Sequence, residues 1–313
     1  MPFFSVIVPL YNKETFVKNA IESILAQDFQ DFEILVVDDG CTDQSRAVVS
    51  TIESASLRIL THEQNKGLSA ARNTGIREAQ GSHLAFLDAD DVWQPNYLST
   101  IHELIQRFPE TRLWATNYEE VYADEVFIVH KNPAFQQDEL TVVGDFFACN
   151  VGKPIYFPSS FCAAKEVFDT VGYYDESITY AEDVDLNIRA NTRFKLAYAN
   201  KPLVRYTLFS ENQITNSHFS SKVIPNFAQY DALLEGHATL KKYIDFNRYI
   251  FAKYYKQEEA WEKFDLIRKE ISSSSLNKKQ LFLLDAPLFL LRWVKQIKVF
   301  LIRHGILLTT YDR

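Results

Sequence analysis

The sequence predicts an α/β protein in which a mainly parallel β-sheet is flanked by helices. Short apolar, β-branched runs alternate with amphipathic stretches over residues 4–113, and each run has the length of a buried strand. Parallel strands need crossover connections, and a helix in each connection covers the sheet. The predominantly helical pattern after Ser220 adds a C-terminal helical extension to this body.

Five strands are predicted in the first part of the chain, at residues 5–9, 33–38, 57–61, 83–88 and 112–116. Four helices are predicted between them, at residues 14–27, 42–54, 68–79 and 95–108. In the first of these helices Val17, Ile21 and Ile24 recur at helical spacing, which gives it one apolar face.

Beyond the fifth strand the alternation weakens. The sequence predicts an antiparallel pair around residues 121–130, a helix at 142–150, a strand at 157–164, helices at 165–171 and 182–191, and strands at 195–199 and 203–208. We therefore expect one body over residues 1–220 and a helical region over residues 221–313.

The charge distribution separates an acidic body from a basic tail. The 313 residues include 41 acidic and 33 basic side chains, a net charge of −8, but residues 241–313 carry 15 basic and 8 acidic ones. An acidic body is poorly suited to the phosphate contacts of nucleic-acid binding, so no nucleic-acid partner is expected. The three cysteines lack paired spacing, and no cationic segment precedes the first apolar run. These features predict a cytoplasmic protein.

Polar residues follow three of the predicted strands at the point where each strand ends. The segments are Pro9-Leu10-Tyr11-Asn12, Asp38-Asp39-Gly40-Cys41-Thr42-Asp43 and Asp88-Ala89-Asp90-Asp91. Ligands of open parallel sheets bind at the carboxyl ends of the strands, so we expect these segments to share one rim. Turns and helix caps explain single residues there, but not consecutive carboxylates in two segments.

Asp88 and Asp90 leave the fourth strand together, and alternate strand residues point the same way. Two such carboxylates can hold one divalent cation, which would neutralise a diphosphate. A phosphohydrolase of the haloacid dehalogenase type, with Asp88 as an aspartyl nucleophile, is an alternative. Those enzymes normally carry the motif after the first strand, whereas here it follows the fourth. This position favours the metal site.

Four ordered motifs resemble those of the family-2 glycosyltransferases. They are Ser5-Val-Ile-Val-Pro-Leu-Tyr-Asn12, Val37-Asp-Asp-Gly-Cys-Thr-Asp43, Asn65-x-Gly-x-x-x-Ala-Arg-Asn-x-Gly75 and Phe86-Leu-Asp-Ala-Asp-Asp-x-Trp93. The resemblance covers about residues 4–210 and implies the Rossmann-like GT-A fold, inversion at the anomeric carbon, and an Mn²⁺ or Mg²⁺ ion. It also implies a nucleotide-diphosphate-sugar donor, with a UDP-sugar as the default. Residues 1–117 would form the nucleotide-sugar half and residues 118–220 the acceptor half.

The resemblance also implies roles for residues at the nucleotide. Tyr11 would pack on the base, Asp39 would accept a hydrogen bond from a base N–H, and Pro9 would lie in the same site. Arg72, about one turn into a predicted helix, would help to hold the nucleotide, and a helix N-terminus with a nearby arginine suits an anion. Asp88 would lie near the ribose and the metal.

A later acidic motif, Tyr180-Ala-Glu-Asp-Val-Asp-Leu186, also matches the family. Direct displacement at the anomeric carbon needs a base for the acceptor hydroxyl proton, and Asp183 is the predicted base. Glu182 would bind the acceptor or orient the site, and Asp90 would be the chief metal ligand. From the residues alone, a Glu-Asp pair is equally a helix start that suits the macrodipole.

Trp93, Arg205 and His218 are further candidates for contacts with the acceptor, the diphosphate or the metal, and a solvated loop residue is the alternative for His218. Cys41 stands where the family usually has serine. The Gln-x-x-Arg-Trp motif of processive synthases is absent from the sequence. We therefore expect transfer of one sugar to a glycan or lipid-linked acceptor in surface polysaccharide synthesis. An inactive nucleotide-binding scaffold is the remaining alternative.

Residues 288–308 predict a basic amphipathic helix that is too interrupted by charge to span a membrane. Its apolar face comprises Phe289, Leu290, Trp293, Val294, Ile297, Phe300 and Leu301. Its basic face comprises Arg292, Lys295, Lys298 and Arg303. Such a helix can lie peripherally on the inner face of the cell membrane, or it can pack on the body or on a second copy in a homo-oligomer.

Overall fold

This computed structural model describes residues 1–122, 126–129, 132–208, 210–211 and 218–303. Ten strands within these residues form one sheet. The strands are β1 (Phe4–Leu10), β2 (Phe32–Asp38), β3 (Leu57–Thr61), β4 (His83–Phe86), β5 (Val92–Trp93), β6 (Leu113–Tyr122), β7 (Val126–Val129), β8 (Leu140–Val142), β9 (Phe161–Ala164) and β10 (Leu196–Thr207). Their order is β3-β2-β1-β4-β9-β6-β10-β5, with β7 beside β6 and β8 beside β10.

The helices alternate with the first strands and then dominate the end of the chain. They are α1 (Val17–Leu25), α2 (Ser45–Ser50), α3 (Leu68–Glu78), α4 (Tyr97–Arg107), α5 (Phe146–Cys149), α6 (Lys165–Val171), α7 (Glu182–Asn191), α8 (Ala238–Gln257), α9 (Trp261–Glu270), α10 (Lys278–Asp285) and α11 (Leu288–Arg303). The predicted α/β class is confirmed, since β1, β2, β3 and β4 pair in parallel and β6 pairs in parallel with β10.

The chain divides into two compact units. The first comprises Met1–Gly144, Ile155–Ile214 and Val223–Pro225 and contains the sheet. The second comprises Asp145–Pro154, Thr215–Lys222 and Asn226–Arg313, and within it α8 contacts α5, α9, α10 and α11. Among the helices that the structure describes, none has both the length and the apolarity needed for a membrane span.

The core of the first unit lies around β1 and β2, whose seven residues each are all buried. Continuous apolar runs suit these strands because a parallel sheet is covered on both faces. Helix α3 packs on β1, and Gly75 makes this approach close: a Cβ at this position would lie 2.4 Å from Ile7 Cγ2. The distance between α3 and the sheet therefore depends on a missing side chain.

Several predicted elements differ from those in the structure. The first helix begins at Val17 instead of residue 14, because the N–H groups of Phe16 and Val17 both turn back to the Lys13 carbonyl. The helix predicted at 142–150 is shortened to α5, because Val142 pairs with β10 as part of β8 and Asp145 caps the helix that begins at Phe146. Long-range strand pairing overrides the local helical pattern there.

Three strand predictions also change. The two strands predicted at 195–199 and 203–208 form the single strand β10, with register shifts around Pro202 where the ladder to β6 adjusts. The strand predicted at 157–164 begins only at Phe161, because Pro158–Ser160 form a 3₁₀ turn. The predicted antiparallel pair is formed by β6 and β7, and its end at residue 130 lies outside the described residues.

The close contact at Gly75 predicts the effect of a small substitution. Gly75→Ala should lower the free energy of unfolding by about 1–3 kcal/mol, because the added methyl group must displace Ile7 from a packed core. Gly144→Ala is the matched control, since nothing lies within 4 Å of its added Cβ. Urea denaturation followed by circular dichroism measures both variants. Equal midpoints would show that α3 moves away from β1 without cost.

Candidate active site

The three polar loops meet at the carboxyl-terminal edge of the sheet. β1 lies between β2 and β4 and runs parallel to both, so the segments after Leu10, Asp38 and Phe86 leave the sheet on the same side. Asn12 joins the first two loops: its Oδ1 accepts from the Thr42 N–H at 2.8 Å, and its Nδ2 donates to Thr42 Oγ1 at 3.0 Å. The loops are therefore tied together by side chains.

Asp39 is buried at this rim and held from several directions. Its Oδ1 accepts from the Lys66 N–H at 2.9 Å and its Oδ2 from the Gly67 N–H at 2.9 Å. His62 Nδ1 lies 2.6 Å from Asp39 Oδ1, and His62 Nε2 lies 2.9 Å from Thr74 Oγ1. The carboxylate therefore has a fixed position before it meets any ligand, and it presents acceptor atoms only.

Arg72 connects the acidic loop after β4 with the later acidic motif. Its side chain is 1% exposed; NH2 donates to Asp88 Oδ1 at 2.8 Å and NH1 to Glu182 Oε1 at 2.6 Å. The guanidinium also lies over the Tyr174 ring, 5.3 Å from its centroid. Two of the predicted site segments are thus joined through one buried cation. Its predicted contact with the nucleotide stays a prediction.

Asp90 pairs with a second cationic side chain. Lys13 Nζ lies 2.7 Å from Asp90 Oδ2, and each side chain is 10% exposed. Ser210 Oγ donates to the same carboxylate oxygen. Within the described residues, Asp90 Oδ1 and Asp88 Oδ2 have no hydrogen-bond partner, so each carboxylate keeps one oxygen that is not engaged by a cationic side chain.

Asp91 is the most enclosed of the three aspartates and pairs with no cation among the described residues. Its Oδ2 accepts from Ser159 Oγ at 2.5 Å and its Oδ1 from the Thr207 N–H at 2.9 Å. Burial, together with the nearby charges of Asp90 and Asp88, raises the pKa of Asp91. Since Ser159 Oγ also accepts from the Asp88 N–H at 3.0 Å, Asp91 anchors the acidic loop.

Asp183 lies in the first turn of α7, directly after Glu182. The residue before this helix, Ala181, adopts the left-handed conformation with φ 62°. Desolvation and then the adjacent Glu182 charge raise the pKa of Asp183 to about 7, against the opposing effect of Arg72. A carboxylate with a pKa near neutrality is suited to accept and release a proton at neutral pH.

The remaining predicted nucleotide residues lie at the end of β1. Pro9 is a buried residue of the strand, and Tyr11 directly after the strand is 40% exposed. Cys41 Sγ accepts from the Asn12 N–H at 3.4 Å. Burial raises the pKa of the Cys41 thiol to about 12, so it remains protonated and packs much like the serine expected there.

Trp93 is buried in the structure, whereas Arg205 is partly exposed. Trp93 is 3% exposed; its ring stacks on Tyr97 with centroids 4.1 Å apart, and its Nε1 donates to the Ser159 carbonyl at 2.7 Å. Trp93 therefore packs beneath the acidic loop, and its predicted ligand contact stays a prediction. Arg205 is partly exposed, and its Nε donates to Glu119 Oε1 at 2.8 Å.

The donor set at Asp88 and Asp90 fits a hard divalent cation. Mg²⁺ is usually bound through one or two carboxylates, with water and substrate phosphates completing its shell. The described residues contain no group of three or more His, Cys, Asp or Glu side chains that would enclose a metal without substrate. His218 belongs to the second unit, is largely exposed, and lies 4.0 Å from the Glu258 carboxylate; its metal contact stays a prediction.

Three supporting residues of the site are not predicted from the sequence: Lys13, His62 and Ser159. Lys13 directly follows the first motif, and His62 directly follows β3, so proximity to a strand end was an available signal for both. Ser159 lies in a 3₁₀ turn within an apolar and aromatic stretch that carries no such signal.

The fold and its rim define a GT-A type α/β protein. The sequence model of glycosyl transferase family 2 matches residues 5–168, about half of the chain, and the chain belongs to this family. An uncharacterized glycosyltransferase of Bacillus subtilis (strain 168), EpsJ, is 29% identical over 195 residues, which is 61% of this chain and 56% of EpsJ. The chain thus spans about half the length of this relative.

One further protein is similar to part of this sequence, and another has a similar structure over most of the chain. The Escherichia coli enzyme WfgD, named a UDP-Glc:alpha-D-GlcNAc-diphosphoundecaprenol beta-1,3-glucosyltransferase, is 40% identical over 94 residues, 30% of this chain and 37% of WfgD. The crystal structure of S. aureus TarS 1–349 with UDP-GlcNAc has a TM-score of 0.60 at 17% identity, covering 97% of this chain and 92% of that one. The likeness to TarS shows that the two chains share a fold.

The buried pairing of Arg72 predicts a large loss of stability when it is removed. Arg72→Met should lower the free energy of unfolding at pH 7 by about 3–5 kcal/mol, because Asp88 and Glu182 lose their shared cation. Arg77→Met on the same helix is the control: its pair with Glu176 is exposed, so about 1 kcal/mol or less is expected.

The deficit of Arg72→Met should also depend on pH. Burial already raises the pKa of Asp88, and loss of Arg72 raises it further, so the folded variant binds a proton more readily than the unfolded chain. The deficit should therefore shrink as the pH falls from 7 to about 5. Urea unfolding at both pH values measures it; a deficit that is constant with pH would show that packing, not charge, is lost.

Proposed function

We propose that the chain is an inverting glycosyltransferase that moves one sugar from a nucleotide-diphosphate-sugar to a hydroxyl group of a glycan or lipid-linked acceptor. The observation that carries this proposal is the position of Arg72 between Asp88 and Glu182. Arg72 brings the acidic loop after β4 close to the segment that contains the candidate base, Asp183. Family membership supports the same reaction class.

The donor half would use residues 1–117, with UDP as the proposed nucleotide. Asp39, fixed by backbone N–H groups and His62, offers only acceptor atoms, which suits the N–H of a uracil ring. Tyr11 is 40% exposed directly after β1 and is available for stacking. The name of WfgD and the TarS complex support a UDP-sugar, since both concern UDP-linked donors.

Asp88 and Asp90 would hold Mn²⁺ or Mg²⁺ through their carboxylates. When bound, the cation would neutralise the diphosphate and stabilise it as a leaving group. Asp91 and Ser159 keep the loop in place, because Ser159 Oγ bonds both the Asp91 carboxylate and the Asp88 N–H. The chain would thereby present a rigid pair of ligands to the donor.

Asp183 would act as the general base in the acceptor half, residues 118–220. The acceptor oxygen forms a bond to the anomeric carbon while the bond from that carbon to the diphosphate oxygen breaks, and the hydroxyl proton moves to the carboxylate of Asp183. Attack on the face opposite the leaving group inverts the configuration. Glu182 is held by Arg72 and would orient the segment.

The alternatives are not favoured. The family match spans Asp88, which a haloacid dehalogenase-like phosphohydrolase would use as its nucleophile. Asp90 and Asp183, the proposed cation ligand and base, are both present, which argues against an inactive nucleotide-binding scaffold.

Surface polysaccharide or glycolipid synthesis is the proposed setting, and α11 the proposed membrane contact. WfgD is named for a diphosphoundecaprenol-linked acceptor, which is lipid-linked. On α11, Phe289 is 73% and Trp293 is 59% exposed, and Arg292 between them is also exposed. Exposed aromatic and basic side chains on one helix suit an anionic membrane surface.

The role of Asp183 predicts a pH-dependent rate. Transfer should increase through about pH 7, because the base must be deprotonated, and Glu182→Gln should move the midpoint to lower pH by removing a neighbouring negative charge. Asp183→Asn should reduce transfer by about 10²–10⁴-fold and leave nucleotide binding unchanged. Asp169→Asn, an exposed carboxylate on α6, is the control. Full transfer by Asp183→Asn, assayed with UDP-sugars, would refute its role.

The proposed membrane contact predicts binding to anionic vesicles. The full chain should float with liposomes that contain phosphatidylglycerol, and Phe289→Ser with Trp293→Ser should reduce the floated fraction severalfold, because both exposed rings are removed. Trp261→Ser, at an exposed ring on α9, is the control. Equal flotation of the double variant and the full chain would exclude α11 as the contact.

A further inference from the structure

Lys13 is a buried cation for which the proposed reaction provides no role. Its Nζ donates to Asp90 Oδ2 at 2.7 Å, to Ser210 Oγ at 2.9 Å and to the Glu211 carbonyl at 2.7 Å. An ammonium group has three N–H donors, so all of them are used. Its backbone is fixed as well, since the Lys13 N–H donates to Ser45 Oγ at 2.7 Å.

Asp88 and Asp90, in the acidic loop after β4, are thus neutralised by different kinds of side chain. Arg72 meets Asp88 with a planar guanidinium that Glu182 holds from the other side. Lys13 meets Asp90 with a point charge on a flexible four-carbon stem. A cation that binds Asp90 brings a second positive charge close to the ammonium, and repulsion between the two charges favours release of the ammonium.

We propose that Lys13 is a built-in countercation that occupies Asp90 until a divalent cation displaces it. The ammonium keeps Asp90 neutralised inside the protein and links it to Ser210 and Glu211 beyond the end of β10. Binding of the cation at Asp90 releases Lys13 from the carboxylate, so cation binding and the position of the Lys13 side chain are coupled. The inference depends on the proposed role of Asp90 as a cation ligand.

Competition predicts that the cation binds more tightly when the ammonium is removed. The first experiment titrates Mn²⁺ alone, without nucleotide, into the wild-type chain, Lys13→Met, Lys13→Arg and Lys18→Met, by calorimetry. Lys13→Met should bind Mn²⁺ about tenfold more tightly, because a unit charge beside the ligand is lost. Lys13→Arg keeps the charge and should match the wild type, as should Lys18→Met, an exposed lysine on α1. Equal or weaker binding by Lys13→Met overturns the inference.

A second measurement uses the wild-type chain and does not depend on the folding of a variant. Acetic anhydride labels accessible lysines, and peptide mass spectrometry gives the labelling rate of Lys13 with and without Mn²⁺. Displacement should raise the Lys13 rate severalfold, while the rate of exposed Lys18 stays constant. An unchanged Lys13 rate at saturating Mn²⁺ overturns the inference.

Asp90→Asn separates failure of this inference from failure of the cation site. If Asp90→Asn binds Mn²⁺ as the wild type does, the proposed cation site is wrong, and the inference falls with it. If Mn²⁺ binding requires Asp90 but is unaffected by Lys13→Met, only the role of Lys13 is refuted. If the wild type binds no Mn²⁺ without nucleotide, measurable Mn²⁺ binding by Lys13→Met supports the competition. If neither protein binds Mn²⁺, the competition is refuted.

Discussion

The buried guanidinium of Arg72 is the interaction on which the site depends. It pairs with carboxylates that lie 16 and 110 residues away in the sequence, and a charge with 1% exposure is stable only when it is paired in this way. Its position is set by α3, which the absence of a side chain at Gly75 allows to lie against β1. The geometry of the acidic groups therefore rests on the packing of one helix against the central strand.

The three aspartates of the loop after β4 are stabilised by three different means. Asp88 has a guanidinium, Asp90 has an ammonium, and Asp91 has a hydroxyl and a backbone N–H in a fully buried position. Three adjacent negative charges would repel each other strongly in a partly buried loop. Two cationic side chains, Arg72 and Lys13, and the raised pKa of Asp88 and Asp91 reduce this repulsion, which allows the sequence to concentrate acidic residues at the rim.

The predictable part of the structure is the part that local pattern specifies. The first four strands and their polar ends follow from buried apolar runs, and the parallel-sheet rule then places the motifs on one rim. Long-range pairing decided what the pattern did not: Val142 pairs with β10 as part of β8 instead of starting a helix. The same holds for Lys13, whose partners Asp90 and Ser210 are 77 and 197 residues away, and for Trp93, whose burial no motif indicates.

The left-handed backbone at Ala181 gives the acidic helix α7 an unusual property. A non-glycine residue in this conformation costs about 1–2 kcal/mol, so the turn before Glu182 is held against its own preference. One opposing interaction is the bond that Arg72, from a different part of the chain, donates to Glu182. The ion pair with Arg72 therefore helps to hold the strained start of α7 in place. Conditions that weaken this ion pair would favour relaxation of the turn before Glu182, because its left-handed backbone is unfavourable on its own.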